Sequence, residues 1–250
     1  MNKRLVEGVI IPPEMEDGDG ARVRRAIGSP RLSYLDPFLL LDDFSIRPPA
    51  GFPAHPHRGF EIITYVLEGE VHHADSAGNR EVVLPGGLQK ITAGSGIVHS
   101  EFPGPDGGRG LQLWVNLGRA DKGAEPAYRM LAPEEVPEVV EGPARLRLLA
   151  GEGTQVHFHL PVIYWDVTVE PDSTFRRTAP KGWTLFTYGL GGRGLFGTDQ
   201  REGQAGEILI WGGDGEEMAV RAATEGELRF VVAAAPPLGE AIRRWGPFVD

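Results

Sequence analysis

His57-Arg-Gly-Phe-Glu-Ile-Ile-Thr-Tyr-Val-Leu-Glu-Gly69 aligns without a gap on Pro180-Lys-Gly-Trp-Thr-Leu-Phe-Thr-Tyr-Gly-Leu-Gly-Gly192. Gly59, Thr64, Tyr65, Leu67 and Gly69 recur as Gly182, Thr187, Tyr188, Leu190 and Gly192. Gly86-Gly-Leu-Gln-Lys-Ile likewise resembles Gly206-Glu-Ile-Leu-Ile-Trp. A β-branched and aromatic run between glycines reads as a strand bounded by turns. Its recurrence predicts two similar units of one architecture.

The rest of the chain repeats that punctuation. Short apolar runs predict strands at Gly59–Glu68, Gln89–Thr92, Ile97–Glu101, Gly110–Leu117, Val162–Val169, Trp183–Tyr188, Glu207–Trp211 and Glu227–Ala233. Helical periodicity is confined to one turn at Pro133–Val136 and a short C-terminal helix at Pro237–Arg244, closed by Gly246 and Pro247. Many short strands and few helices define an all-β sandwich or barrel class. Glu134–Pro143 is acidic and proline-bearing, and the pattern restarts after it. The expected division is therefore an N-terminal barrel over 1–133, a linker over 134–143 and a C-terminal barrel over 144–250.

The chain has 250 residues, 25 basic against 35 acidic, and a net charge of −10. An acidic chain without a basic cluster argues against direct nucleic-acid binding. With no cysteine, disulfides, thiolate metal sites and cysteine nucleophiles are excluded. No run has the apolar length of a signal peptide or a membrane helix, so a cytoplasmic protein with no membrane contact is expected.

His55 and His57 stand at i and i+2, which puts both imidazoles on one face of an extended segment. His99 and Glu101 repeat the spacing just after the turn Thr92-Ala-Gly-Ser-Gly-Ile-Val. If the two segments pair, three imidazoles and a carboxylate converge. That donor set suits Fe(II), Mn, Ni, Cu or Zn, with iron chemically plausible where coordination positions stay open. Other features carry less. His72-His73 are adjacent and point to opposite faces, so they do not chelate together. His157-Phe-His159 lacks a second ligand pair and reads as an interdomain or surface segment. Gly189–Gly194 fits GxGxxG literally, but no helix follows and it reads as a hairpin turn. Ser100 alternates with His99 and Glu101 and cannot form a nucleophile–base relay with them. Gln112, Trp114 and Asn116 share one strand face and, with Phe44, Phe52 and Phe60, are candidates for an apolar substrate pocket.

These motifs, with Leu35-Asp-Pro-Phe-Leu-Leu-Leu-Asp-Asp43, Leu111-Gln-Leu-Trp-Val-Asn116 and Trp245-Gly-Pro-Phe248, resemble the pirin family over nearly the whole chain. The resemblance implies a bicupin, two stacked antiparallel β-barrels. It places the metal in the first barrel on His55, His57, His99 and Glu101, with iron the usual ion. It leaves Glu61, a ligand in many other cupins, to contacts behind the ligands. It implies a quercetin 2,3-dioxygenase-like activity in which a flavonol is cleaved across C2–C3 with O2 and carbon monoxide is released. Glu101 then serves as general base as well as ligand. A non-enzymatic, redox-responsive iron protein acting through protein partners is the alternative. In the second repeat Thr178 and Pro180 stand where His55 and His57 do, and Ala219 and Arg221 fall near the places of His99 and Glu101, so the C-terminal barrel is expected to be structural.

Overall fold

The computed structural model describes residues 2–250. Strands dominate, and among the described residues the helical elements are two single turns of 3₁₀ helix, Arg119–Asp121 and Pro133–Glu135. The chain divides into two compact units.

The N-terminal unit comprises Pro13–Val136, Phe158–Leu160 and Leu238–Asp250. Its nine-stranded sheet runs in the order Ala127–Leu131, Leu88–Thr92, Phe60–Asp75, Ile97–Asn116, Phe38–Ile46, Ala21–Ile27 and Glu14–Asp17. Phe52–His57 pairs on Ile97–Asn116, and Arg80–Val83 pairs on Phe60–Asp75. The expected strands Ile97–Glu101 and Gly110–Leu117 are two ends of one strand, Ile97–Asn116. Pairing of Val71–Asp75 with His99–Pro103, and of Phe60–Val66 with Gly110–Asn116, carries the ladder through, with register shifts between. One core cluster packs Leu39, Leu40, Phe60, Ile62, Ile91, Ile97, Trp114 and Val249. A second packs Val23, Phe44, Ile46, Val66, Val71 and Val83. Burying each such side chain contributes about 1.5–3 kcal/mol.

The C-terminal unit comprises the chain up to Pro12, Pro137–His157 and Pro161–Pro237. It holds a seven-stranded sheet from Val6–Ile10 to Glu138–Glu141 and a four-stranded sheet built on Thr174–Thr178, Glu217–Ala222, Arg193–Phe196 and Arg201–Gln204. The interior is apolar and aromatic, with Trp165, Phe175, Phe196, Trp211, Met218 and Phe230 in one cluster. The repeat is visible in backbone conformation. Gly59 and Gly182 adopt φ of 89° and 81°, and Gly69 and Gly192 adopt 63° and 73°. Glycine recurs at these turns because L side chains rarely adopt that region. Gly189–Gly194 is a turn, as read, but not a hairpin: Thr184–Gly191 and Arg193–Phe196 flank Gly192 yet lie in different sheets and pair with other strands.

The observed units differ from the contiguous division at 1–133, 134–143 and 144–250. Val6–Ile10 pairs with Ile208–Trp211 and so belongs to the C-terminal unit. Leu238–Asp250 belongs to the N-terminal unit. The acidic stretch contains the strand Glu138–Glu141, which pairs with Ala144–Ala150. The expected helix at Pro237–Arg244 does not form. Leu238–Arg243 has no regular structure, and Arg244–Trp245 makes a two-residue pairing with Phe248–Val249. External bonds hold this segment instead: Asp36 accepts from the Leu238 and Gly239 amides at 3.1 and 2.8 Å, and Arg58 makes the hydrogen bonds Val249 N–Arg58 O and Arg58 N–Pro247 O. Among the described residues, no helix is long and apolar enough to cross a membrane.

Candidate metal centre

Phe52–His57 pairs only with Ile97–Asn116, so Pro53 and Pro56, which have no N–H, sit where no further ladder is required. The register sets His55 opposite His99 and His57 opposite Ile97. Between Phe52↔Glu101 and His55↔His99 one strand advances three residues and its partner two, which is a β-bulge. Bulges of this kind re-aim side chains beside functional sites. The turn before His99 closes through Gly96 N–H to Ala93 O at 2.8 Å.

The three imidazoles form one cluster whose donor atoms all lie within 4.8 Å of one another. The Nε2 atoms of His55 and His99 are 3.0 Å apart. Cis ligands with bonds of about 2.1 Å to a common ion stand about 3 Å apart. His55 Nδ1 lies 2.7 Å from the Pro53 carbonyl, an acceptor that fixes the ring and leaves Nε2 with its lone pair. His57 and His99 are 2% and 1% exposed. No ring nitrogen of His57, nor Nδ1 of His99, makes a hydrogen bond of good geometry, although the Pro247 carbonyl is near enough to His57 to favour its charged form. Such atoms are costly in a folded interior unless something completes them. Burial, helped by the neighbouring His55, lowers the His57 pKa to about 3, and burial with the surrounding histidines holds His99 well below its ordinary value. Both rings are therefore neutral, the form that ligates a metal. The residues fit a divalent transition metal.

Glu101 is 3% exposed and lines the same cleft. It is not in the group of donors within 4.8 Å of one another. Its Oε1 accepts from Gln89 Nε2 at 2.6 Å and the Thr64 hydroxyl at 3.2 Å, and its Oε2 accepts from Gln112 Nε2 at 2.7 Å. Trp114 Nε1 donates to Gln112 Oε1 at 2.8 Å, and the Tyr128 hydroxyl donates to Gln89 Oε1 at 3.3 Å. Each amide that holds the carboxylate is thus itself held by an aromatic side chain.

Glu61 lies elsewhere. It is fully buried and accepts from Lys90 Nζ, the Thr92 hydroxyl and the His159 backbone N–H, with His159 Nδ1 3.0 Å away. His159, read from sequence as part of an interdomain or surface segment, thus serves as an anchor on Glu61. The pair His72-His73 splits as alternation requires: His72 is exposed beside Glu70, and His73 is 3% exposed. His73 stacks on Tyr128 at 4.4 Å, bonds Asp75 Oδ2 at 3.2 Å and lies 5.5 Å from the His99 ring, centre to centre. Sequence reasoning missed this inward place. The signal was its parity with Val71 on one strand.

The imidazoles open on a cleft of about 670 Å³. Of the pocket candidates, Phe44, Phe52, Gln112 and Trp114 line it. Phe60 and Asn116 do not. Phe60 is fully buried, stacked on Trp114 at 4.4 Å and 5.2 Å from the His57 ring, so it backs the site without reaching the cleft. Asn116 accepts from Lys122 Nζ at 2.6 Å behind the sheet end. Lining residues that the sequence reading did not name include Arg25, Asp42 and Arg244. The strand pair corresponding to the His segments, Thr174–Thr178 on Glu217–Ala222, carries Thr178, Ala219 and Arg221.

Two antiparallel β units, the first holding a histidine cluster at the mouth of its sheet, define a bicupin with a candidate metal centre. The Pirin family profile matches residues 20–115, and the Pirin C-terminal cupin domain matches residues 164–250. A pirin-like protein of Solanum lycopersicum is 42% identical over 98% of this chain and 86% of its own. The chain belongs to the pirin family. Its structure is similar to that of a quercetin 2,3-dioxygenase from Acinetobacter baumannii, with a TM-score of 0.89 and 29% identity over 99% of this chain and 92% of that one. It shares its fold with the bacterial pirin YhhW of Escherichia coli, solved in complex with nickel(II), with a TM-score of 0.75 and 21% identity over 90% and 96% of the two chains.

Proposed function

We propose that this protein is a metal-dependent dioxygenase that cleaves a flavonol-like aromatic enol. The observation that carries the reading is the cluster of three imidazoles, two of them buried with unsatisfied nitrogens, opening on an aromatic-walled cleft. His55, His57, His99 and Glu101 are the proposed ligands, with Fe(II) the proposed ion and Mn, Ni, Cu and Zn alternatives at the same donors. When bound, the ion supplies Lewis-acid polarisation of the enol hydroxyl and the means to engage dioxygen.

The chain's own residues do the rest. Glu101 accepts the enol proton as general base, and Gln89, Gln112 and Thr64 hold its carboxylate in place for that transfer. Phe44, Phe52 and Trp114 present apolar surface for the substrate rings and exclude water from the reacting face. In the balanced reaction the C2–C3 and C3–C4 bonds break. Both atoms of O2 enter the ester product, and C3 departs with its own oxygen as carbon monoxide. The Acinetobacter enzyme named as a quercetin 2,3-dioxygenase supports this reading through likeness along the whole chain.

The test is a flavonol panel incubated with iron-loaded protein, with oxygen uptake and carbon monoxide followed together and an anaerobic control. One carbon monoxide per O2 is expected, abolished without oxygen. Metal-replete, folded protein that leaves every flavonol intact refutes the proposal.

A further inference from the structure

Two arginines line the cleft, and the architecture treats them differently. Arg25 is neutralised: it donates to both oxygens of Asp42 at 2.9 and 2.7 Å and also pairs with Asp17. Arg244 makes no ion pair with any described carboxylate. Its Nε donates to the Gly246 carbonyl at 3.1 Å and its Nη1 to the Leu39 carbonyl at 3.2 Å. A guanidinium has five N–H donors, so these two bonds leave most of its fork unused. Asp42 is close enough to act on it electrostatically, but both Asp42 oxygens already receive Arg25. Burial first, and the like charge of Arg25 second, lower the Arg244 pKa, as expected for a cation short of a counter-charge.

The position of this charge is informative. The guanidinium lies 5.4 Å from the centre of the Trp114 ring, and that ring meets the His57 imidazole edge-on at 4.8 Å. The cation and the imidazole cluster thus meet the same indole, and Arg244 is close enough to His57 to act on it electrostatically. The segment that delivers it is fixed beside the site: Val249 N–H bonds the carbonyl of Arg58, the residue after His57, at 3.0 Å. Keeping a charge half-buried without a partner costs free energy, and a ligand anion removes that cost.

We propose that Arg244 is a specificity-determining residue that binds a carboxylate on the substrate while the substrate's enol faces the imidazole cluster. The inference rests on the oxygenase reading of this cleft and narrows its substrate class to aromatic enols bearing a second, anionic group remote from the enol. A guanidinium fork matches a carboxylate in two bonds, which a lysine does not reproduce. The acids Asp17, Asp19 and Asp42 on the cleft wall disfavour an anion elsewhere in the same space.

The test compares 3-hydroxyflavone carrying a 4′-carboxylate with its methyl ester. Binding to nickel-loaded protein is measured anaerobically by titration calorimetry, so no turnover is needed. The wild-type protein is expected to bind the acid about tenfold or more tightly than the ester. Arg244→Gln brings the two within about twofold by weakening the acid alone, and Arg244→Lys keeps part of the preference. Arg244→Lys also serves if the glutamine variant fails to fold. Equal wild-type affinities, or a Gln variant that weakens both ligands alike, overturn the proposal. If the ester binds as tightly as the acid, the aromatic-enol reading of the cleft stands and the role of Arg244 falls. If neither ligand binds, both fall.

Discussion

Removing Lys90 isolates Glu61, and the consequence can be worked from the structure. The Glu61 carboxylate is fully buried, and Lys90 is 8% exposed. With Lys90→Met the carboxylate keeps the Thr92 hydroxyl and the His159 N–H at 3.0 and 2.9 Å but loses its counter-charge. Leaving one buried charge uncompensated costs about 3–5 kcal/mol. Glu61→Leu costs less, about 2 kcal/mol, because the Lys90 ammonium retains Thr92 and lies 5.3 Å from the Phe158 ring, and its stem can reach toward solvent. The double variant, with an apolar pair in place of the ions, falls within about 1–2 kcal/mol of wild type. The coupling energy is then about 3–6 kcal/mol. Hydrogen exchange of the amides in Leu88–Thr92 is the assay, since it reads the opening of this sheet without requiring both units to melt together. Metal content is measured on the same samples. Singles that cost under about 1 kcal/mol and add without coupling refute the structural role. A Glu61→Leu protein that stays stable but loses its metal shows instead that Glu61 is a ligand.

His57→Ala removes a proposed ligand, so metal affinity is expected to fall at least about tenfold while the circular dichroism spectrum stays that of a folded protein; metal analysis and circular dichroism of the purified variant check the two. In metal-free protein the unfolded chain protonates His57 near its ordinary 6.5, whereas the folded chain does so only near 3. Stability is therefore full above the ordinary value and declines as pH falls from 6.5 toward 3, by on the order of 4 kcal/mol from this residue, with His99 adding in the same sense. Thermal denaturation of chelated protein at pH 7 and pH 5 should show the part of that loss that falls in this window, about 2 kcal/mol from His57, and a flat profile contradicts it. Gly59→Ala places a Cβ 1.8 Å from the Val249 carbonyl oxygen at a φ of 89°. It is expected to cost about 2 kcal/mol or more and to speed proteolysis after Pro237 by loosening the terminal segment; unchanged cleavage rates count against that packing.

Much of this protein was legible in the residues because short-range geometry decides it. The i, i+2 spacing fixes His55 with His57, and the repeated glycines mark turns that need left-handed backbone in both units. Other features depend on partners far along the chain. Glu61 and Glu101 look equally suited to ligate in sequence. Their roles separate only because Lys90 and His159 surround one while Gln89 and Gln112 surround the other in the imidazole cleft. His73 faces inward beside His99 by parity with Val71, but parity does not say which face is the interior.

The amino-acid order by itself determined the strand-rich class, the duplicated unit, the family and the histidine pair, since periodicity and turn chemistry act over a few residues. Tertiary structure alone decided which ends join which unit, why Pro237–Arg244 is not a helix, and that Arg244 reaches the metal cleft. Those outcomes depend on long-range hydrogen bonds and burial, such as Val249 on Arg58 and Val6–Ile10 on Ile208–Trp211. Such partners are selected by complementary surfaces that exist only once the chain has folded.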